Sequence, residues 1–584
     1  MNSEINRPEQ REGERKLGLF DSIEIKGLSS KSARAFSSGR MARAARRVAS
    51  LFAFTAARVY GFIFLSFGML TLFLHLGEYY IMQDPVVRTS SLVIGAVFVL
   101  LSVFLLVSDK PICIFFRSSR LLDFIVFDFF LINRMQYGKE KKGFGVSIGM
   151  IIGFLLAVFG FFFPTEYAVL FMIAFIFVSL SFISPEFPYL FSLLIFPYLH
   201  LIPYSSYILA VCVGACILSY VRKVLVGKRI YSFEIYDALL ILIIAAIFIS
   251  LSVTMGGSIP LERAIILTVL MLGYVPASNM PVNRRLFDCV AGAMTASAVP
   301  VGVYSIVKYL LDYTSFTERT PSSAFFDSPE MLAVYLCAVS VFALYLSIKR
   351  VHKRKKIYYF SVFLISVAAI VTTECFAAVL AVGLSILVYA LLKSRRISKV
   401  FILIPLLLPL IAFFLGGGIS DMLAQVFSMS PSIAERADML TDSVTLFFDN
   451  LLFGVGSAGG TEIYGAAPNI YVALACRVGI FALALFFITL VLRLLHLGFY
   501  RKRYSDSLVS FYVESSAIAA FAILVIGSYT DIFLSPEILY FFITVFATGS
   551  AALRVSKKEM VERLSYYKDL GTSDYAAIDV TLTQ

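Results

Sequence analysis

The sequence contains few charged residues. Asp, Glu, Lys and Arg make up 15% of the 584 residues, whereas hydrophobic residues make up 59%. A fold that faces water on all sides cannot hide so large an apolar excess, because there is not enough polar surface to cover it. The composition therefore excludes an ordinary soluble globular domain.

Cysteine pairs and tryptophan are also missing. The seven cysteines include no CxxC pair and most lie inside apolar runs, so the pattern indicates neither a disulfide framework nor a zinc site. Cys212 and Cys216 share a helix face, which we interpret as two small buried hydrophobic residues. No metal and no cofactor are predicted. The chain has no Trp, which membrane interfaces usually recruit, and its 31 Tyr residues can take that position.

Long apolar blocks separate the sparse charges. Blocks such as GVSIGMIIGFLLAVFGFFF from Gly145 and ALLILIIAAIFISLSV from Ala238 are close to the roughly 17–25 residues that cross a bilayer as a helix. We expect an all-α polytopic membrane protein with about 14–16 transmembrane helices and one large outer-face loop. Sixteen spans are predicted, centred near Phe67, Phe98, Leu155, Phe175, Leu194, Val213, Ala245, Val269, Val301, Val339, Ser366, Gly383, Leu407, Ala482, Ala522 and Val545.

The basic residues fall in alternate loops between the predicted spans. The net charge of +12 is therefore explained by basic residues that mark the cytoplasmic loops, and it does not indicate nucleic acid as a partner. The distribution of basic residues predicts that both termini lie in the cytoplasm. The basic N-terminal tail, residues 1–58, lacks an early apolar core, so no cleavable signal peptide is expected there. The tail anchors the chain by its positive charge or lies on the membrane as an amphipathic helix.

The same pattern divides the chain into segments. The loop that contains ERADMLTDSVTLFFDNLLFGVGSAGGT is the longest polar passage on the predicted outer face, and a loop of this length between spans is usually functional. The expected divisions are a cytoplasmic N-terminal tail at 1–58, N-terminal membrane helices at 59–229 with an interfacial helix near 121–134, a transmembrane core at 230–415, the outer loop at 416–470, C-terminal membrane helices at 471–553, and a cytoplasmic tail at 554–584.

Three ordered motifs resemble the bacterial O-antigen ligase and O-antigen polymerase superfamily. SSAFFDSPEMLAVYL, from Ser322, is similar to the family segment G-T-F-x-N-P-N-x-x-A-x-Y-L, with Ser328 and Glu330 where the family has Asn. The segment from Arg436 to Ser457 resembles part of the family's periplasmic loop, and APNIYVALACRVGI resembles the end of that loop. The resemblance covers roughly residues 230–550. It implies a glycosyltransferase-C-like fold with an O-antigen ligase-like transmembrane core at 230–415.

The resemblance implies a membrane glycosyltransferase of cell-envelope polysaccharide biosynthesis. Such enzymes transfer a glycan from undecaprenyl diphosphate to an acceptor glycan, without a metal or a nucleotide sugar. The reaction needs a base for the acceptor hydroxyl and cations for the departing diphosphate, to which an arginine fork is well suited. Partners would be lipid-linked oligosaccharide, membrane lipids and envelope-polysaccharide assembly proteins.

This chain departs from the family at three positions. Pro468 stands where the ligases carry a catalytic histidine, Arg477 stands where the family often has Glu, and Glu374-Cys375-Phe376 replaces an S-R-G motif. Proline cannot accept a proton, so the candidate base becomes a carboxylate. Glu374 is placed first, with Asp327 and Glu330 as alternatives. His75 and His200 lie near outer ends of spans, and we interpret them as core or interfacial histidines.

The candidate site residues each have a structural alternative. Arg436 is expected to bind the carrier diphosphate, or else to pair with a neighbouring acid in the loop. The expected substrate-binding residues are Asp327, Glu330, Asn469, Tyr471 and Arg477. Acids near the start of a helix are common, and Asn469 would also suit a helix N-cap. The glycines at 454, 456, 459 and 460 are expected to serve turn geometry.

Two further functions compete with catalysis. A non-catalytic relative would act as a binding or assembly subunit, which the loss of the family histidine favours. A transporter is the third possibility, although we find neither an inverted repeat nor a pair of broken charged helices in the sequence.

Overall fold

The architecture is almost entirely helical, as the apolar blocks predict. The computed structural model describes residues 23–25, 54–82, 89–132, 143–202, 204–253, 258–282, 284–314, 321–349, 352–392, 433–456, 469–503, 509–531 and 535–569. Twelve helices in these ranges are long and apolar enough to cross a membrane, and Val146–Phe162 and Ala377–Tyr389 are shorter apolar helices. The chain is a multi-pass membrane protein whose helices satisfy their own backbone groups, as the bilayer interior requires.

The helices are numbered in chain order. In the first third of the chain they are α1 (Ala57–Met82), α2 (Thr89–Leu106), α3 (Ile112–Ser118), α4 (Arg120–Asp123), α5 (Val146–Phe162), α6 (Thr165–Ile183), α7 (Glu186–Ile195) and α8 (Ser205–Leu225). The middle contains α9 (Ile235–Val253), α10 (Ser258–Leu272), α11 (Tyr274–Asn279), α12 (Arg284–Thr314), α13 (Pro329–Lys349), α14 (Lys353–Thr372) and α15 (Phe376–Leu392). The last part contains α16 (Ile433–Asp449), α17 (Ile470–Val478), α18 (Ile480–Arg503), α19 (Ser510–Gly527) and α20 (Pro536–Asp569).

Two short strands form a small antiparallel sheet. Strand β1 (Ile23–Ile25) pairs with β2 (Tyr231–Phe233), and Glu24 lies opposite Ser232. The pairing joins a segment of the N-terminal tail to the connection between α8 and α9.

Glycine residues bring the N-terminal helices into close contact. A Cβ added to Gly68 on α1 would lie 2.7 Å from the carbonyl oxygen of Gly95 on α2. A Cβ on Gly153 of α5 would lie 2.4 Å from the carbonyl oxygen of Ile63. Small residues at helix crossings are the usual means of packing in lipid, where apolar burial between helices gains little.

Helix α13 is the centre of the larger core. Of the membrane-spanning window within Pro329–Lys349, 89% is buried inside the protein. Helices α12, α14, α15, α19 and α20 pack around it. Tyr335 lies within this core, where its hydroxyl and that of Ser297 are 2.8 Å apart. A helix so enclosed is a rigid support for the residues at its start.

Two segments differ from the simplest expectation. The span predicted near Leu194 is the ten-residue helix α7 followed by a 3-10 turn over Phe196–Leu201. Pro197 is the second residue of this turn and has no backbone N–H to donate. The helix predicted near 121–134 is α4 followed by a π-helical turn over Phe124–Phe129.

Candidate functional site

A glycine turn lies against the junction of α17 and α18. The backbone N–H of Val455 donates to the carbonyl of Cys476 at 2.8 Å, and that of Gly456 donates to the carbonyl of Arg477 at 3.0 Å. The turn at residues 450–456 is thus bonded to the last residues of α17. These are the outer-loop motifs that the sequence singled out, and the structure brings their backbones together.

Three glycines make this approach possible. Gly454, Gly456 and Gly479 have φ values of 66°, 95° and 93°, a left-handed region that side chains rarely adopt. A Cβ on Gly454 would lie 2.5 Å from the carbonyl carbon of Arg477. The prediction that these loop glycines serve turn geometry is confirmed for Gly454 and Gly456; positions 459 and 460 lie outside the described residues.

Arg477 is the basic residue at the centre of this junction. Its Nη2 lies 3.4 Å from Oδ2 of Asp531, and its side chain is only 12% exposed. Burial lowers the pKa of Arg477, the nearby charge of Arg263 lowers it further, and Asp531 raises it. Asp531 and Arg263 were not singled out by the sequence, since they come from distant parts of the chain. The guanidinium group of Arg477, paired with Asp531 at 3.4 Å, is of a kind that binds phosphate groups.

Glu374 occupies a strained turn between α14 and α15. Its φ is 55°, in the left-handed region, although it is not a glycine. The hydroxyl of Tyr309 donates to Oε1 of Glu374 at 3.0 Å. Left-handed non-glycine residues cost stability and often mark functional sites, because the surrounding structure must hold them in place. The candidate base is therefore fixed in a defined position.

Buried hydroxyl groups attach the segment at residues 321–328 to the same turn. Ser305 lies 2.9 Å from Ser322 and 2.8 Å from Thr372, measured between the hydroxyl oxygens. The backbone N–H of Ser322 donates to the carbonyl of Thr372 at 3.0 Å. The first family-like motif and the Glu374 turn consequently lie side by side.

Asp327 follows in this segment and contacts a histidine. Nδ1 of His200 lies 3.0 Å from Oδ2 of Asp327. Glu330 lies in the first turn of α13, where acids favour the helix N-terminus. The sequence named both acids but predicted no partner for Asp327. His200 and Asp327 are 127 residues apart along the chain, so the local sequence gives no signal for their contact.

Asn469 and Tyr471 are engaged in structural contacts. The side chain of Asn469 accepts from the backbone N–H groups of Tyr471 and Val472 and thereby caps α17. The ring of Tyr471 stacks on Phe487 at 5.7 Å, and its hydroxyl donates to the carbonyl of Leu524. Both residues thus support the start of α17, the helix that carries Arg477.

The remaining site predictions fall at the edge of the described chain. Arg436 lies on α16, and its side chain is outside the described residues. Pro468 is also outside them. Helix α16 packs on α17, and the thiol of Cys476 lies 3.0 Å from the carbonyl oxygen of Ser443. The helix that carries Arg436 is thus attached to the one that carries Arg477.

One comparison with known proteins gives a match over part of the chain that contains several of these residues. Residues 360–487 match a family model described as O-antigen ligase. No match to the chain is found among the curated proteins. The matched region contains Glu374, Arg436 and Arg477, together with the glycine turn that contacts Arg477. The helical membrane architecture and this matched domain together support membership of the O-antigen ligase/polymerase superfamily.

Proposed function

We propose that the protein transfers an undecaprenyl-diphosphate-linked glycan to an acceptor glycan at the outer face of the bacterial cytoplasmic membrane. The observation that carries this proposal is the partly buried Arg477, which lies at the junction of α17 and α18 inside the matched O-antigen ligase region. The positive charge of Arg263 acts on Arg477 as well, and a planar guanidinium group is well suited to a diphosphate.

The positive-inside rule supports an orientation with both termini in the cytoplasm. The helix ends that carry Arg222, Arg285 and Lys349 would then face the cytoplasm. Glu374 and Arg477 are at helix ends of the opposite parity and would face outward. This orientation presents the candidate site to the leaflet in which a carrier-linked glycan would be used. The divisions at 59–229 and 230–415 are proposed as an N-terminal membrane unit and the ligase-like core.

The proposed chemistry assigns one role to each charged residue. Glu374 accepts the proton of the acceptor hydroxyl. The oxygen of that hydroxyl bonds to the anomeric carbon of the donor sugar. The bond from that carbon to the diphosphate oxygen breaks, and its electron pair leaves with undecaprenyl diphosphate. Arg436 and Arg477 stabilise the charge of the leaving group. No metal is needed for this sequence of bond changes.

A non-catalytic binding or assembly subunit is the second proposal. It is favoured by Pro468, which stands where the related ligases have histidine and cannot accept a proton. In this case the fold would keep its carrier-binding surface, and the chain would act on glycan length through other proteins. Deletion of the protein would then disturb surface glycan, while substitution of the candidate base would not.

The test is the chain-length distribution of surface glycan in cells that carry defined variants. Wild type, Arg436→Ala, Glu374→Gln and a control, Lys558→Gln, are compared at matched protein levels. Lys558 is exposed on α20, so its variant should match wild type. Transfer predicts short or unligated carrier-linked chains for Arg436→Ala and Glu374→Gln. Unchanged distributions in both variants, with a defect on deletion, would reject catalysis and favour the subunit.

A further inference from the structure

A short stretch before α13 alternates between core and surface. Phe326 is buried, and its ring packs on Phe196 and Tyr335 at 5.8 and 5.6 Å between centroids. Asp327 follows it with its side chain 72% exposed. The anchored Phe326 therefore fixes an exposed carboxylate at the start of the most enclosed helix, with little freedom to move.

His200 fixes the orientation of this carboxylate. Its side chain is 2% exposed, Nδ1 lies 3.0 Å from Asp327, and the buried Nε2 has no hydrogen-bond partner among the described residues. A proton on Nε2 would be buried without an acceptor, which is costly. The favoured tautomer carries its proton on Nδ1, so His200 donates to Oδ2 of Asp327. Among the described residues no partner is recorded for the other carboxylate oxygen, which can accept from a ligand.

A pair of aromatic rings lies close to Asp327 along the chain. Phe325, the second residue before Asp327, stacks on Tyr304 with centroids 4.5 Å apart and an interplanar angle of 18°. The ring of Tyr198 also contacts Phe325, with the centroids 5.6 Å apart. Tyr304 is 44% exposed, so part of this stacked pair is accessible. The oriented acid is thus two residues along the chain from a partly exposed aromatic pair.

We propose that Asp327 and the Tyr304–Phe325 ring pair form a sugar-binding subsite, with His200 as a positioning residue. A pyranose has one face of C–H groups and an edge of hydroxyls. The C–H face packs on the negative face of an aromatic ring, and vicinal hydroxyls donate to a carboxylate. Nothing in this arrangement selects a phosphate, because the exposed charge is negative.

The assignment of this sugar to the acceptor glycan rests on the proposed function. The segment at residues 321–328 is bonded through Ser322 to Thr372, two residues from Glu374. A glycan held at Asp327 would thus lie on the same side of the core as the candidate base. Binding itself requires no catalysis, so the subsite can be tested separately from transfer.

The experiment measures binding of carrier-free repeat-unit oligosaccharide, released by mild acid from the cells' own surface glycan. Full-length protein in nanodiscs is titrated by calorimetry, with Asp327→Asn, Tyr304→Ala and the matched control Tyr167→Ala. Tyr167 is an exposed tyrosine on a helix of the N-terminal part, so its loss should not alter binding. We expect at least about tenfold weaker binding for Asp327→Asn and Tyr304→Ala.

Two substitutions of His200 test the positioning role. Asn places its amide near the position of Nδ1 and can still donate to Asp327, whereas Gln reaches the position of Nε2. His200→Asn should bind within about threefold of wild type and His200→Gln about tenfold more weakly. Equal losses in both variants would overturn the positioning role, since general damage to the core would affect both.

Transfer from carrier-linked donor is measured on the same samples. Binding with the expected variant pattern supports the subsite whether or not turnover is seen; binding without turnover would reject the transferase alone. Wild type that transfers but does not bind the oligosaccharide would overturn the subsite alone. Variants that all bind like wild type would also overturn it, and would leave Tyr304 as an interfacial tyrosine.

Discussion

The backbone N–H of Gly456 donates to the carbonyl of Arg477 at 3.0 Å, which ties the glycine turn to the end of α17. The same carbonyl accepts from the hydroxyl of Ser250 on α9, also at 3.0 Å. Two donors from different elements thus hold the backbone of one arginine. A guanidinium on so constrained a backbone meets its ligand with little loss of conformational entropy.

Replacement of Arg477 is expected to impair transfer more than folding. Arg477→Gln removes the charge and should lower transfer about 100-fold, the usual loss for a transition-state donor. Arg477→Lys keeps the charge but lacks the planar fork, so we expect an intermediate rate. The measurement is turnover of carrier-linked donor by purified protein, with Lys558→Gln as the control. Wild-type turnover in Arg477→Gln would remove this residue from the site.

The glycine turn gives a second prediction, about packing. Gly454→Ala would place a Cβ 2.5 Å from the carbonyl carbon of Arg477 and force an alanine to adopt a φ of 66°. We expect a loss of about 1–3 kcal/mol in local stability, seen as faster hydrogen exchange at 450–456 and in α17.

Gly383→Ala is the matched control for the turn. A Cβ at Gly383, inside α15, meets nothing within 4 Å. Alanine is the better helix former by roughly 1 kcal/mol, so this variant should be neutral or slightly stabilised. Similar exchange in Gly454→Ala and Gly383→Ala would show that the close approach at the turn carries little energy.

Much of the fold follows from the sequence because lipid imposes strict rules. Apolar blocks must be helical to satisfy their own backbone, and this predicts most helices, including α13 and α20. The rules do not give the interruption near Pro197, where the α-helix is followed by a 3-10 turn. Hydropathy counts apolar residues and does not register such a local change.

The site was less predictable, for a physical reason. Asn469 could be recognised as an N-cap because its partners, Tyr471 and Val472, follow within three residues. His200 and Arg477 find their partners 127 and 54 residues away. Such pairs depend on which helices pack together, and the hydropathy of each helix does not determine that packing. His200 was accordingly interpreted as an ordinary core or interfacial histidine.

Glu374 yields a prediction in which stability and activity separate. Its left-handed φ of 55° costs a non-glycine residue about 1–2 kcal/mol. Glu374→Gly should relieve this strain and leave the melting temperature unchanged or higher, while removing the candidate base. Glu374→Gln should keep the strain and also lose transfer. Thermal melts and turnover are measured on the same samples.

Tyr309→Phe is the partner variant for Glu374. It removes the hydroxyl that donates to Oε1 and leaves the carboxylate in place. We expect a smaller loss of transfer, since one hydrogen bond contributes about 0.5–3 kcal/mol, depending on whether the acceptor is charged. Normal turnover in Glu374→Gly would rule out a catalytic role for this carboxylate.

The last prediction concerns the stability of the protein in acid and the buried carboxyl group of Glu186, at the start of α7. Glu186 is buried between Lys223, at 3.4 Å, and Arg229, with which it forms a close ion pair. Burial raises the pKa of Glu186, but Lys223, the Ser184 hydroxyl and Arg229 together outweigh it, so the pKa lies below its usual value.

A carboxyl group whose pKa is depressed on folding stabilises the protein above its unfolded pKa, here about 4.3. That contribution is lost as pH falls through the folded value. Glu186→Gln should therefore lower the melting temperature at pH 7, where a broken buried pair costs on the order of 3–5 kcal/mol. The difference between variant and wild type should shrink below about pH 4. Thermal melts of both detergent-solubilised proteins from about pH 3.5 to 7 measure this difference in melting temperature. A difference that does not change with pH would show that the ion pairs do not stabilise the fold.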